Sequence, residues 1–292
     1  MRSVLSLVIV CWLASDDPPA VTIDGNPLSP ATWHYVRLTM GNESTEPQVQ
    51  KRLIELAIER ELIRRFLARQ QISSPPEWVD AQWQALRDLI LKRGEQPESL
   101  LMRLGLSEQQ IRHELRLSWD WQYYVTKTVS TEQLRQEFEA HRSWYDGTRV
   151  RVRQIFRRLD PQSGSQQRQQ EEQLLLEVKR RIEQGLLSFE QAVLQYSHAL
   201  SKEQGGDVGW LGGPGRLPSE LAFAALDCPV GELRGPLQTA HGWHLLQVTE
   251  RKAGMLSLED ARTQLLKTFS DRLWQEVLEK ERKASTIVIR AP

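Results

Sequence analysis

Residues 205–248 read GGDVGWLGGPGRLPSELAFAALDCPVGELRGPLQTAHGWHLLQV, and no other stretch restricts the fold of this chain as severely. Gly205, Gly206, Gly209, Gly212, Gly213 and Gly215 crowd around Trp210. Glycine at that density marks backbone at positive φ or in close approach to a neighbour, so a turn-rich loop is predicted and a helix is excluded. A short apolar helix is expected over Leu221–Leu226, then a Gly231-Glu232 turn. Two strands follow, Pro236–Thr239 and Trp243–Thr249, joined through His241-Gly242. A phosphate-binding loop is not indicated, because no helix opening with Lys-Ser or Lys-Thr follows the glycines.

The residues just upstream complete a small unit. Gly147 ends a helical region, and Thr148–Leu159 alternates as a strand. Val150, Val152, Gln154 and Phe156 share one face; Arg149, Arg151 and Arg153 lie on the other, which reads as a solvated strand face and not as a nucleic-acid patch. A polar loop is predicted from Asp160 to Gln173, then a helix carrying Leu175, Leu176, Val178 and Ile182 that stops at Gly185. Ser188-Phe189-Glu190-Gln191 is a capping box opening a helix to Tyr196. Strand, two helices, glycine loop, helix and two strands make a small α+β unit.

Before it, apolar residues recur at helical spacing. Ala20–Ile23 is a short strand ending in an Asp24-Gly25-Asn26-Pro27 turn. Helices are predicted from about Pro30 (Trp33, Val36, Leu38), over Val49–Phe66 after Thr45-Glu46-Pro47, and beyond Ser73-Ser74-Pro75-Pro76 through Trp83, Leu86 and Ile90. A short one spans Pro97–Leu104; Ser107 and Gln110 form the capping box of another reaching Val129, and Thr131 opens a last one ending near His141. Residues 20–147 thus read as a helical domain. Its tryptophans are core residues by default, although aromatic rings also suit a peptide-binding groove. After Gly254, Ser257 caps a long helix carrying Leu265, Phe269, Trp274 and Val277, and Thr286–Arg290 alternates as a strand.

At 292 residues and 40% hydrophobic, the chain is long enough for two domains. Its 38 basic and 38 acidic residues cancel, so no bulk field draws it to nucleic acid or to a membrane surface. Arg2 and the apolar run Val4–Ala14 have the form of an export signal, and the run is shorter than the roughly 20 residues that cross a bilayer. Val8-Ile9-Val10-Cys11 faintly resembles a lipoprotein box, spoiled by the bulky Val10, so any membrane attachment would be through the N-terminus alone. Cys11 and Cys228 are the two cysteines; removal of the signal leaves Cys228 alone, with no internal disulfide, as a small buried residue.

The succession GGDVGW, an LPxEL helix, GELRGPLQT and HGWHLLQV resembles the second half of a parvulin domain, a peptidyl-prolyl isomerase module, and the resemblance extends upstream to about Val150. More loosely, AVTIDGNPLS, LIELAIERELIRRFLARQQI and LGLSEQQIRHELR resemble the N-terminal chaperone domain of SurA- and PrsA-type foldases. The resemblance implies an α+β fold with an export signal (1–19), a helical chaperone-like domain (20–147) and a parvulin-like domain (148–252). A C-terminal helix and strand (253–292) would return to the helical domain, with Ile287 and Ile289 near Val21 and Ile23.

Rotation about an X-Pro bond is slow because the amide resists twisting, with a barrier of about 18–20 kcal/mol. No bond is broken, so neither cofactor nor metal is expected. An apolar slot for the proline ring and polar groups for the amide suffice, provided they favour the twisted amide over the planar one. Carried over position by position, the resemblance puts Leu217 at the Met/Leu position of the parvulin pocket, Thr239 at the Thr and His244 at the histidine of the last strand. Leu221 stands where a Phe is usual, Gln154 where a first-strand histidine is usual, and Ala199 where an Asp or Cys is usual. Gln154 keeps a hydrogen bond but does not titrate. Ala199 offers the substrate no polar atom, and neither His198 nor Ser201 is expected to replace it.

Other candidates read blandly. His241 and His244 are three apart, which on an extended chain sends them to opposite faces and argues against a metal pair. Asp207 beside glycines reads as a turn residue, and Glu232 likewise. Trp210 and Trp243 read as core, with Trp243, next to His244, also placed at the rim of the pocket as a substrate contact. The expected function is an exported isomerase and foldase of the bacterial periplasm or envelope, with weakened catalysis, acting on unfolded or proline-containing polypeptides. The alternative is a holdase that uses the parvulin module to bind peptide without turnover. A third reading is a dedicated partner for one envelope protein.

Overall fold

The computed structural model describes residues 20–40, 46–160, 162–213 and 218–290. The predicted export signal with Cys11, the Thr45 helix boundary and Leu217 lie outside these residues. In chain order the elements are β1 (Ala20–Ile23), β2 (Asn26–Pro27), α1 (Pro30–Met40), α2 (Pro47–Arg69), α3 (Pro76–Lys92), α4 (Pro97–Arg103) and α5 (Glu108–Thr128). Then come α6 (Thr131–Ala140), α7 (Arg142–Tyr145), β3 (Arg149–Arg158), α8 (Ser165–Glu183), α9 (Phe189–Tyr196), β4 (Asp207–Leu211) and α10 (Ser219–Leu226). The chain closes with β5 (Leu233–Thr239), β6 (Gly242–Lys252), α11 (Leu258–Ala284) and β7 (Ile287–Arg290). Two compact units result: one runs up to Ser130 and resumes at Leu266, the other spans Thr131–Leu265.

In the first unit, Asp24 (φ 52°) and Gly25 (φ 79°) both take positive φ, the requirement of a tight two-residue hairpin turn, and fold β2 back onto β1. On its other edge β1 pairs antiparallel with β7, placing Val21 opposite Ile289 and Ile23 opposite Ile287. The returning C-terminal strand thus completes a three-stranded sheet in the order β2-β1-β7. Leu53, Ala57 and Ile58 of α2 and Ile111 and Leu115 of α5 are buried, the helical period seen in the sequence. Ser107 and Gln110 close the α5 capping box through both reciprocal hydrogen bonds, at 3.2 and 2.8 Å. One charge lies deep in this unit. Glu114 is 1% exposed and accepts hydrogen bonds from Thr32 (2.7 Å), Arg60 (2.9 Å) and Arg64 (2.8 Å).

The second unit is built on an antiparallel sheet in the order β4-β3-β6-β5. Strand alternation divides its side chains cleanly. Val150 and Val152 of β3 with Leu246 and Val248 of β6 pack beneath α10, against Leu221, Ala225 and Leu226. Ile155 of β3 with Trp243 and Leu245 of β6 pack on the opposite side, against Leu175 and Val178 of α8 and Ala192 and Val193 of α9.

Several sequence expectations are corrected here. The glycine loop contains a strand: β4 pairs with β3, from Leu211 opposite Val150 to Asp207 opposite Arg153, with a bulge between Val152 and Arg153. Edge pairing outweighs the poor strand propensity of glycine, and the bulge gives the positive-φ residues a place. The helix predicted after Gln173 begins at Ser165, because its first turns carry only Ser, Gln, Arg and Glu, which leave no hydrophobic period to detect. The arginine face of β3 is ion-paired: Arg151 meets Asp207 and Glu250, Arg153 meets Glu190, and Arg157 meets Glu171. The sequence-based boundary after residue 147 and the structural one after Ser130 differ by α6 and α7, which pack in the second unit.

Candidate functional site

The α10 face of the sheet ends in an open cavity of about 680 Å³, well within the size range of ligand-binding clefts. Gln154 and Phe156 of β3, His244 of β6 and Leu221 of α10 line its floor; Leu159, Val208 and Pro218 extend the apolar wall. His198, Ala199, Leu200 and Ser201, on the segment between α9 and β4, form another side. Leu200 stands wholly exposed at the mouth.

Local structure explains the arrangement. Gln154, Phe156 and His244 have even numbers on paired strands whose register sets Phe156 opposite His244 and Gln154 opposite Leu246, so all three point to one face. Phe156 and His244 stack with ring centroids 4.7 Å apart and planes 25° from parallel. The segment after α9 is stitched to β3. The Phe156 N–H donates to Ser197 Oγ (3.1 Å), the Ala199 N–H donates to the same oxygen (3.2 Å), and the His198 N–H donates to the Phe156 carbonyl (2.7 Å). Gly206 passes hard against β3, its carbonyl accepting the Gln154 N–H at 2.9 Å. A Cβ there would stand 2.4 Å from the Gln154 carbonyl oxygen, and φ is +80°, so only glycine fits.

His244 is the polar centre. Its Nδ1 lies 3.1 Å from Gln154 Oε1 and its Nε2 lies 3.0 Å from Thr239 Oγ1. An amide oxygen accepts, so Nδ1 carries the proton and Nε2 accepts from the Thr239 hydroxyl. That hydroxyl oxygen in turn accepts the His241 N–H at 3.2 Å and lies 3.3 Å from the Gly242 carbonyl. Burial, and secondarily the nearby His241, pull the His244 pKa down to about 4. The imidazole is therefore neutral at neutral pH, which agrees with its two hydrogen bonds.

The sequence candidates divide as follows. Gln154, Thr239 and His244 come together as one hydrogen-bonded chain, and Leu221 lies beneath it, fully buried in the α10 core. Trp243 does not join them. Adjacent to His244 on a strand, it points to the opposite face, buried against α8 and α9, where its indole N–H donates to the Arg168 carbonyl at 3.0 Å. The expectation that His241 and His244 diverge also fails, because His241 sits in the β5–β6 turn, where strand alternation does not apply, and both residues line the cavity. Among the described residues no group of three or more potential metal ligands forms around them.

Asp207 behaves as a turn residue, accepting the Gly209 N–H at 2.9 Å, and its pKa is lowered chiefly by its hydrogen bond from Arg151. Cys228 is buried in the α10 core, and burial raises its thiol pKa. Sequence reasoning passed over Phe156, although its place two residues beyond Gln154 on one strand was the signal. Leu200 and Val208 carried no such signal, since each enters the cavity through the path of a loop or an edge strand.

Comparison with known proteins agrees with this geometry. Residues 155–250 match the Rotamase family model, described as a PPIC-type PPIASE domain. The chain is similar to the "Chaperone SurA" of Burkholderia pseudomallei, 32% identical over 146 residues, or 48% of this chain and 31% of that protein. The "Chaperone SurA" of Methylobacillus flagellatus is 37% identical over 92 residues, 31% of this chain and 20% of that protein. The matches thus span less than a third of the length of these curated relatives. Among solved structures, the peptidylprolyl isomerase PrsA of Bacillus cereus superposes with a TM-score of 0.51 at 20% identity, covering 82% of this chain and 88% of that one, which shows a shared fold. The second unit thus carries a parvulin-type domain, set in a chain of SurA/PrsA-like architecture.

Proposed function

We propose that the chain is a peptidyl-prolyl cis-trans isomerase and foldase acting on proline-containing segments of unfolded polypeptides, exported to the cell envelope, with catalysis weaker than a pocket of two histidines would provide. The observation that carries it is His244, neutral and held between Gln154 and Thr239 at the floor of an apolar cavity open to solvent. Phe156, Val208 and Pro218 give a proline ring a dry surface, while Leu221, fully buried, supports the floor from beneath and does not itself present a substrate-contacting surface. Phe156 supplies the aromatic ring that Leu221 lacks.

The chemistry asks little of the protein. As the amide twists it loses resonance, and its dipole and hydration weaken. An apolar floor with a few fixed polar groups stabilises that form relative to the planar, well-hydrated one. Gln154 and Thr239 orient the imidazole, and no proton need leave it. Loss of the second titratable ring and of a polar group at Ala199 is the basis for expecting modest rates. The export assignment rests on the Arg2 and Val4–Ala14 pattern.

The test is a protease-coupled isomerisation assay on an Ala-X-Pro-Phe peptide panel, comparing the wild-type chain with His244→Ala. Acceleration by the wild type that the variant loses supports the proposal. No acceleration for any X sinks it, and peptide binding without turnover would then point to a holdase.

A further inference from the structure

Ala240 and His241 join β5 to β6 as a two-residue hairpin turn, with Thr239 opposite Gly242 in the register. Both backbone groups of His241 are used by the fold. Its N–H donates to Thr239 Oγ1 at 3.2 Å, and its carbonyl accepts the Leu159 N–H at 3.0 Å. Gly242 seats the turn against the end of β3: its φ is +144°, and a Cβ there would stand 2.0 Å from the Arg157 carbonyl oxygen. Thr239 Oγ1 also meets His244 Nε2, so a single oxygen ties the His241 backbone to the polar centre of the pocket. The turn therefore holds His241 at a fixed place beside His244.

The side chain is placed differently from the backbone. His241 is exposed at the edge of the cavity it lines, and its imidazole has no hydrogen-bond partner among the described residues. After burial, His241 is the second cause of the lowered His244 pKa, so the two rings lie close enough to feel each other's charge. Other polar side chains around the cavity are engaged or hidden. His244 uses both ring nitrogens, and His198 has the Arg157 guanidinium at Nε2 and the Arg158 N–H at Nδ1. Asp207 is held by Arg151 and Gly209, and the Ser201 hydroxyl is shielded from solvent. Arg158, exposed on the same lining, carries its charge on a long stem with many rotamers, whereas the imidazole hangs by one methylene from a pinned backbone.

We infer that His241 is a substrate-binding residue of the isomerase proposed above, its imidazole donating a hydrogen bond to a backbone carbonyl of the polypeptide next to the X-Pro unit. An extended client carries a carbonyl at every residue, and those beside the proline lose water when the ring enters the cavity. A donor at the rim replaces that water. The apolar floor takes the proline ring and the rim takes the chain, so the site selects a polypeptide over a lone proline. The carbonyl lies outside the rotating bond, and the contact is alike for the planar and the twisted amide. It therefore lowers KM without raising kcat. The inference rests on the isomerase assignment for the identity of its ligand, and the binding arm of the experiment separates the two.

Wild type, His241→Ala and His241→Asn are titrated with an Ala-Leu-Pro-Phe peptide by NMR. Then kcat and KM are resolved on the same peptide, and each protein's thermal midpoint is measured. Expected for His241→Ala is a rise of about two- to tenfold in both Kd and KM, with kcat little changed. His241→Asn keeps a donor and should retain most of the affinity. Both thermal midpoints should match the wild type, because the exposed imidazole bonds nothing in the fold. Wild-type affinity in His241→Ala overturns the role of His241 and leaves the isomerase standing. Equal weakening in both variants also overturns it, since the loss then does not follow the hydrogen bond. So does a fall in kcat at unchanged Kd, or a lowered thermal midpoint. If the wild type binds the peptide but accelerates nothing, the isomerase assignment fails while the Kd values still decide the role of His241. Absence of binding by the wild type overturns both.

Discussion

Gln154 Oε1 stands 3.1 Å from His244 Nδ1, joining two strands through side chains two register positions apart on the same face of the sheet. The contact decides what the imidazole does. An amide oxygen accepts from Nδ1–H and leaves Nε2 as an acceptor for Thr239, so a fixed neutral tautomer is displayed to the cavity.

That relationship predicts a pH profile. With the His244 pKa near 4, isomerase activity should be flat from about pH 9 to pH 5 and fall only below that. Gln154→Glu places a carboxylate against Nδ1, which favours the imidazolium and raises the pKa by about one to three units. The acid limb of kcat/KM in that variant should move up by the same amount. A variant profile that overlays the wild type would separate His244 protonation from the rate.

Stability carries the same signature. His244 binds its proton less readily folded (about 4) than unfolded (6.5), so between those values the unfolded chain holds more protons. Its contribution is complete above pH 6.5 and is lost as pH falls from 6.5 to about 4, amounting to roughly 3 kcal/mol across that window. Hydrogen exchange of the β6 amides, compared between wild type and His244→Gln at pH 7 and pH 4.5, reads this in the second unit alone. The wild type should lose protection relative to the variant at the lower pH.

Trp243 offers a control beside His244. Its indole bonds the Arg168 carbonyl on the helix-packed face, away from the cavity. Trp243→Phe should lower the stability of the second unit by about 1–3 kcal/mol, from the lost hydrogen bond and volume, and leave KM for peptide unchanged. A raised KM with unaltered stability would return Trp243 to the substrate site.

In the first unit, Glu114 is the residue to remove. Its carboxylate is matched to Arg60 and Arg64, which are themselves largely covered. Glu114→Ala leaves Arg60 without its carboxylate partner and Arg64 with Glu61 alone, and a loss of about 3–5 kcal/mol is expected. Calorimetry should show the transition of the first unit lowered, with peptide isomerisation by the second unit retained below that transition.

Much of the architecture was legible in the sequence. Caps and proline punctuation located the helices, since Ser107, Ser188 and the prolines at 76 and 97 act through their own backbone neighbours. The foldase resemblance, which returns the C-terminal strand to the helical domain, placed Ile287 and Ile289 near Val21 and Ile23, and the β1–β7 register pairs them so. The order of glycine loop, helix and strands identified the parvulin-type domain, and with it Gln154, Thr239, Leu221 and His244 as neighbours.

Tertiary structure alone decided the rest, because each point depends on segments far apart in the chain. Period-two alternation says that Trp243 and His244 face opposite ways; only the placement of α8, α9 and α10 says which way is the cavity. Glycine content predicted a loop at β4, but an edge strand owes its state to a partner, here β3, and no local propensity reports a partner. That the Ser201 hydroxyl is shielded from solvent without a hydrogen-bond partner is set by the segments packed around it, which one-dimensional spacing does not report. Sequence determined the elements and the family likeness through local chemistry and pattern; the hydrogen-bonding of Gln154, His244 and Thr239 became definite only when three strands met.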